Sequence, residues 1–156
     1  SGFDCTILAY DKYKTGFGND KVQEVEMADI FERADVLSFH IPQTEETLGL
    51  FNTQYLARFS KPIYVINLSR GKIIETQALV EGLNEARVLG ACLDVLEYEK
   101  ASFEQLSANG LPPVLRELIR NESVLLTPHV GGWTHESYFK LSKVLADKIL
   151  AAFPSA

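Results

Sequence analysis

Three short apolar runs in this chain each break off at a polar residue, and that pattern constrains the fold more than any other feature. Ile63-Tyr64-Val65-Ile66 leads into Asn67-Leu68-Ser69-Arg70-Gly71. Val88-Leu89-Gly90-Ala91-Cys92-Leu93 leads into Asp94, with Glu99 five positions further on. Ser123-Val124-Leu125-Leu126 leads into Thr127-Pro128-His129-Val130-Gly131-Gly132. Short β-branched runs bounded by turn residues read as buried strands of a parallel sheet. Ligands of open α/β sheets sit outside the carboxyl ends of such strands. An Arg, an Asp/Glu pair and a His brought to one edge of one sheet make a candidate active site.

The segments between these runs supply the remaining elements. Residues 6–10 read as a strand that stops at Asp11. Residues 21–33 read as a helix, with Val25, Ile30 and Phe31 apolar and Glu24, Glu26, Asp29 and Glu32 on an acidic face. A strand over 36–39 precedes His40-Ile41-Pro42. A short helix over 53–59 has Thr53 as its expected cap, and a longer one over 76–86 has Thr76. In the latter, Leu79, Val80 and Leu83 recur at helical spacing. Residues 97–122 read as irregular, with a short helix over 114–119. A long final helix over 135–152 carries Leu141, Val144, Leu145, Ile149 and Leu150. Strands alternating with helices at this spacing imply a doubly wound α/β domain, a parallel sheet with helices on both faces.

Composition narrows the possible partners. A net charge of −6 with no Lys/Arg cluster argues against a nucleic-acid surface. No run of about 18 apolar residues and no signal-peptide core is present, which argues against membrane spanning and secretion. Of the two cysteines, Cys5 directly precedes an expected strand and Cys92 falls inside one. They read as buried, reduced thiols of a cytoplasmic protein rather than as a disulfide.

Taken singly, the site residues have ordinary readings as well. Arg70 can be a surface ion-pairing residue, His129 a satisfied loop histidine and Asp94 a cap. Four strings taken together reduce that ambiguity. Asn67-Leu68-Ser69-Arg70-Gly71, Gly90-Ala91-Cys92-Leu93-Asp94-Val95 and Thr127-Pro128-His129-Val130-Gly131-Gly132 appear in that order, and a fourth precedes them. It runs from Ala34-Asp35-Val36-Leu37-Ser38-Phe39 through His40-Ile41-Pro42 to Glu46-Thr47. With these strings the chain resembles the nucleotide-binding domain of the D-isomer-specific 2-hydroxyacid dehydrogenases. That family includes phosphoglycerate, glycerate and D-lactate dehydrogenases.

The resemblance implies a Rossmann-like domain, NAD as cofactor, a small 2-hydroxy or 2-keto acid as substrate, no metal, and a homodimer. It casts Arg70 as the substrate-binding residue, since a guanidinium can fork a carboxylate and polarise a carbonyl. His129 matches the general acid/base, because reducing a ketone needs a proton for the developing alkoxide. Glu99 fits the carboxylate that hydrogen-bonds this imidazole, with the nearby Glu97 as the competing choice. Asp94 is expected to face the nicotinamide. Asp11 matches the acid that binds the adenosine ribose hydroxyls and repels a 2′-phosphate, favouring NAD over NADP. Lys12 and Lys14 weaken that exclusion. Ile41, Pro42 and Thr47 resemble the wall of the adenosine half. Leu68 and Ser69 resemble the residues under the nicotinamide ribose, and Gly131 and Gly132 those where backbone nears the carboxamide. His40 and His135 read as non-catalytic.

The chain also departs from the family pattern. The G-x-G-x-x-G turn is absent, and Gly16-Phe17-Gly18 comes after the ribose acid rather than before it. Residues 1–156 therefore read as a nucleotide-binding domain fragment whose last helix leads toward a substrate-binding domain. Such a piece by itself is expected to lack the phosphate cradle. Lys100 stands where the family usually has Pro, and Trp133 follows the paired glycines in place of a small residue. A dinucleotide-sensing, co-repressor-like binding protein on the same fold is the alternative reading. A plain flavodoxin-like module is a third, which predicts Arg70 and His129 apart.

Overall fold

The computed structural model describes residues 4–98 and 110–153. In chain order its elements are β1 (Ile7–Ala9), β2 (Val22–Glu24), α1 (Met27–Arg33), β3 (Val36–Phe39), α2 (Thr53–Ala57) and β4 (Ile63–Asn67). A single 3-10 turn, Gly71–Ile73, leads to α3 (Thr76–Asn84) and β5 (Val88–Leu93). Then come α4 (Pro113–Arg120), β6 (Val124–Leu126) and α5 (His135–Ala152).

All pairings between named strands are parallel, in two sheets: β1 with β2, and β3-β4-β5-β6. In the larger sheet Phe39, Asn67, Leu93 and Leu126 lie in one row across the strands. That row closes the carboxyl edge. The row before it on the same face contains Leu37, Val65, Ala91 and Val124. This face carries the core, where Leu37, Phe39, Ile63, Val65, Val88 and Leu93 are buried among helix residues such as Phe31, Leu56, Leu79 and Leu115. Phe31 meets Tyr55 and Phe59 edge-on, with ring centroids 5.1 and 4.9 Å apart. Such pairs add to what area burial supplies.

The opposite sheet face is open among the described residues. Val36, Tyr64 and Leu125 stay exposed there, and so do the apolar residues Leu141, Val144, Leu145, Ile149 and Leu150 of α5. This corrects the expectation for the cysteines. Cys92 shares a row with Ser38, Ile66 and Leu125 on the open face, and Cys5 precedes β1, so both thiols are exposed. Both are unbridged, as expected.

Two local readings also change. The helix expected over 21–33 starts only at Met27. Before it, Val22–Glu24 pairs with β1, and the Glu24 carboxylate accepts from the backbone N–H groups of Gly16, Phe17 and Gly18 at 3.0, 2.9 and 3.3 Å. A carboxylate held in such a nest of amides rewards an extended backbone here, which periodicity cannot reveal. The Gly16-Phe17-Gly18 turn thus holds an anion from within the chain. The helix caps also shift by one residue. Asn52, not Thr53, caps α2 by accepting from the Tyr55 N–H at 2.9 Å. Thr76 is the first residue of α3, and its N–H donates to Glu97 at 2.9 Å.

No helix among the described residues is long and apolar enough to cross a membrane.

Candidate active site at the carboxyl edge

The residues after β4, β5 and β6 meet at one edge because the three strands are parallel and in register there. Arg70 follows Asn67 by three positions, Asp94 follows Leu93 directly, and His129 follows Leu126 by three. Arg70, Asp94 and His129 therefore share the edge, contrary to the flavodoxin-like alternative.

Asn67 is the organiser of the first loop, and its buried side chain explains the turn. Its Oδ1 accepts from the Ser69 N–H at 3.0 Å and its Nδ2 donates to the Arg70 carbonyl at 3.0 Å. The Ser69 hydroxyl donates to the Phe39 carbonyl at 2.7 Å and accepts from the Ile41 N–H at 3.1 Å. Ser69 thereby joins the β4 loop to the β3 loop, and its hydroxyl is fully engaged inside the protein. Leu68 stays half-exposed over the edge and Arg70 is exposed, its guanidinium donating to the Ser69 carbonyl at 2.7 Å. The role of Asn67 escaped the sequence reading. The available signal was a polar residue ending an otherwise apolar strand, which must satisfy its groups once buried.

Asp94 orders the loop that bears His129. Buried at 4% exposure, it accepts from the Thr127 hydroxyl at 2.5 Å and the Val130 and Gly131 N–H groups at 2.8 Å each. Burial pushes its pKa up, yet the hydrogen bonds from Thr127, Gly131 and Val130 together with the neighbouring His129 outweigh that, holding the carboxyl below its usual value. His129 itself sits at φ +55°, a left-handed conformation uncommon outside Gly, Asn, Asp and His. Gly131 has no room for a side chain, since a Cβ there lies 2.9 Å from Asp94 Oδ2 and 3.2 Å from Leu68 Cδ2. Gly132 faces open space.

A depressed native pKa means that Asp94 stabilises the fold fully above the ordinary carboxylate range, about pH 4, and loses that contribution as pH falls through its lower native value. Asp94→Asn presents an amide N–H₂ to a site lined by donors. We expect a loss of about 1–3 kcal/mol at pH 7, shrinking as the pH approaches 3. Denaturant melts of both proteins at the two pH values measure it.

The residues expected on the adenosine side lie at the neighbouring strand ends. Asp11 follows β1, and its Oδ1 accepts from the Tyr13 and Lys14 N–H groups at 2.8 and 3.0 Å. Its other oxygen meets no protein donor among the described residues. Thr47 fixes the turn after β3: its hydroxyl donates to the Pro42 carbonyl at 2.7 Å and accepts from the Thr44 N–H at 2.8 Å. Ile41 is half-buried and Pro42 exposed. His40 Nε2 lies 2.9 Å from the Ser38 hydroxyl, and His135 begins α5. Glu99 falls outside the described residues. Glu97, its rival, has a structural task as the acceptor at the start of α3.

Known proteins bear on this geometry. Residues 1–131 match the family model described as "D-isomer specific 2-hydroxyacid dehydrogenase, NAD binding domain". A glyoxylate reductase of Thermofilum pendens is 33% identical over 154 residues, 97% of this chain and 42% of the relative. A D-3-phosphoglycerate dehydrogenase of Bacillus subtilis is 33% identical over 150 residues, 95% of this chain and 26% of the relative. The NAD-complexed structure of a D-isomer specific 2-hydroxyacid dehydrogenase from Lactobacillus delbrueckii ssp. bulgaricus superposes with a TM-score of 0.83 at 25% identity. That match covers 97% of this chain and 46% of the other. The chain spans less than half the length of these relatives. With the match running over residues 1–131, the chain belongs to the D-isomer specific 2-hydroxyacid dehydrogenases and corresponds to their NAD-binding domain.

Proposed function

We propose that this chain serves an NAD-dependent oxidoreductase that interconverts a D-2-hydroxy acid and its 2-keto acid, of the 3-phosphoglycerate or D-lactate type. The observation that carries this reading is the convergence of Arg70, Asp94 and His129 on one carboxyl edge in a member of this family. The relatives named above are reductases and dehydrogenases, which favours an enzyme over a dinucleotide-sensing co-repressor.

The residues present fit a dinucleotide. Among the described residues Asp11 keeps one carboxylate oxygen without a protein donor, suited to ribose hydroxyls. Ile41, Pro42 and Thr47 wall the adenosine half. Leu68 offers an apolar surface to the nicotinamide ribose beside the Ser69 backbone, and the open space at Gly132 admits a carboxamide. NAD held by these residues would supply the hydride acceptor for the hydroxy acid, and NADH the hydride donor for the keto acid. Arg70 forks the substrate carboxylate and polarises the carbonyl. His129 holds or releases the proton at the substrate oxygen, and Glu99 supports its imidazolium form. Asp94 keeps the His129 loop in place and lines the nicotinamide side. The reading also has a further strand, with a Gly-rich turn, joining β1 to β3 and completing a domain that continues into a substrate-binding domain. The enzyme acts in the cytoplasm as a homodimer.

The test is NADH oxidation by the full-length protein against glyoxylate, pyruvate and phosphohydroxypyruvate, followed by chiral analysis of any lactate or phosphoglycerate formed. We expect turnover with at least one, and the D-enantiomer wherever the product is chiral. Absence of turnover across a broad keto-acid panel, or an L-product, overturns the proposal.

A further inference from the structure

The sequence places two basic residues, Lys12 and Lys14, directly after the ribose acid Asp11. Basic side chains at this position are what a 2′-phosphate on the adenosine ribose recruits, so their presence conflicts with the exclusion that Asp11 exerts. The structure resolves the conflict for Lys12. Its Nζ lies 2.7 Å from Glu46 Oε2, and the Tyr13 hydroxyl donates to the same oxygen at 2.5 Å.

We propose that Glu46 is a specificity-determining residue of the dinucleotide site: it occupies Lys12 and Tyr13, the two donors that could receive an adenosine 2′-phosphate, and so holds the site to the unphosphorylated dinucleotide. The inference rests on the function proposed above.

The contact is tertiary, since Glu46 is 34 residues from Lys12 and 33 from Tyr13. Each partner is oriented by its own turn. Asp11 Oδ1 gathers the Tyr13 and Lys14 N–H groups, which sets where the side chains of 12 and 13 leave the end of β1. The Thr47 hydroxyl closes the 42–47 turn and so sets Glu46 opposite them. The two turns belong to the two different sheets, and this cluster links their carboxyl ends. Hydrogen bonds from Lys12 and then Tyr13 hold the Glu46 carboxyl below its usual pKa, so it remains an anion at any working pH. A phosphate arriving there has to displace Glu46 from its donors and meets its charge while doing so.

Lys14 does not restore a phosphate site. It borders a cavity of about 440 Å³ that it shares with Asp11, Glu24, Glu26 and Asp29. An anion there faces a carboxylate-rich surface. All three members of the Glu46 cluster are exposed, and exposed ion pairs contribute little to folding. Specificity is therefore the property their arrangement can influence.

The experiment compares binding of NADPH and NADH to the full-length protein by nicotinamide fluorescence at low salt. In Glu46→Gln we expect the affinity for NADPH relative to NADH to rise on the order of tenfold, as one charge-assisted contact is gained and one repulsion lost. Adding Lys12→Met to Glu46→Gln should abolish most of that gain, and Lys12→Met alone should leave the ratio near that of the parent. A parent that binds NADH, with a Glu46→Gln ratio unchanged, overturns the inference and leaves the proposed function standing. Persistence of the whole gain in Glu46→Gln carrying both Lys12→Met and Tyr13→Phe overturns it too. A parent that binds neither dinucleotide overturns both.

Discussion

Under the proposed function, replacing His129 with glutamine is expected to lower turnover of the full-length protein by about 10²–10⁴-fold in both directions, the usual contribution of a general acid/base. NADH affinity should remain close to that of the parent. The separation follows from how the loop is built. Three bonds that hold it run to Asp94 from the Thr127 hydroxyl and from the Val130 and Gly131 N–H groups, and the substitution leaves all three in place. Glutamine keeps a polar side chain but has no group that exchanges a proton near neutral pH. Nor is Glu97 free to take over, because its carboxylate receives the first N–H of α3. Initial rates in each direction, with NADH binding followed by fluorescence, separate the two quantities. Undiminished turnover would move the proton-transfer role to another group. Equal losses in turnover and NADH affinity would instead indicate that the loop itself had been displaced.

The second large effect is on stability and concerns Gly71. A Cβ on this residue falls 1.8 Å from the Leu96 carbonyl oxygen, 2.0 Å from its carbon and 2.7 Å from the Glu97 nitrogen. All three are backbone atoms, so no flexible side chain can swing away. Gly71→Ala must separate the turn after Arg70 from the turn after Asp94. We expect a cost near 3 kcal/mol, the upper end for overpacking. At roughly 2–4 °C per kcal/mol, Tm falls by about 6–12 °C. The displacement also reaches Arg70 on one side and the Glu97 acceptor of α3 on the other, so turnover should fall with it. Gly132→Ala is the matched control for stability, because nothing lies within 4 Å of its Cβ position. Thermal unfolding of the two variants beside the parent decides it, and equal melting temperatures for all three would show the close approach to be absent.

The local elements were legible where a residue's neighbours in sequence are also its physical partners. The runs ending at Asn67, Asp94 and Thr127 form β4, β5 and β6, and their parallel order follows from the helices between them. Pro113 starts α4 at the position where its missing N–H costs nothing. From that topology alone, Arg70, Asp94 and His129 had to reach the same edge. The family strings supplied the chemical roles that spacing leaves open.

The tertiary structure decided what depends on partners distant in the chain. Val22–Glu24 is a strand because β1 lies beside it and three amides receive Glu24, while its own residues suit a helix equally well. Cys92 alternates outward onto a face that no described helix covers, so an apolar run concealed an exposed thiol. Glu97 is a capping acceptor because α3 begins beside it. Lys12, adverse to NAD selectivity when read alone, is neutralised by a carboxylate 34 residues away. A sequence carries hydrophobic period and turn chemistry directly, because both act over a few residues. The pairing of a charge with its counter-charge exists only after the chain has folded back on itself, and at this site that pairing is what decides how each ionisable group can act.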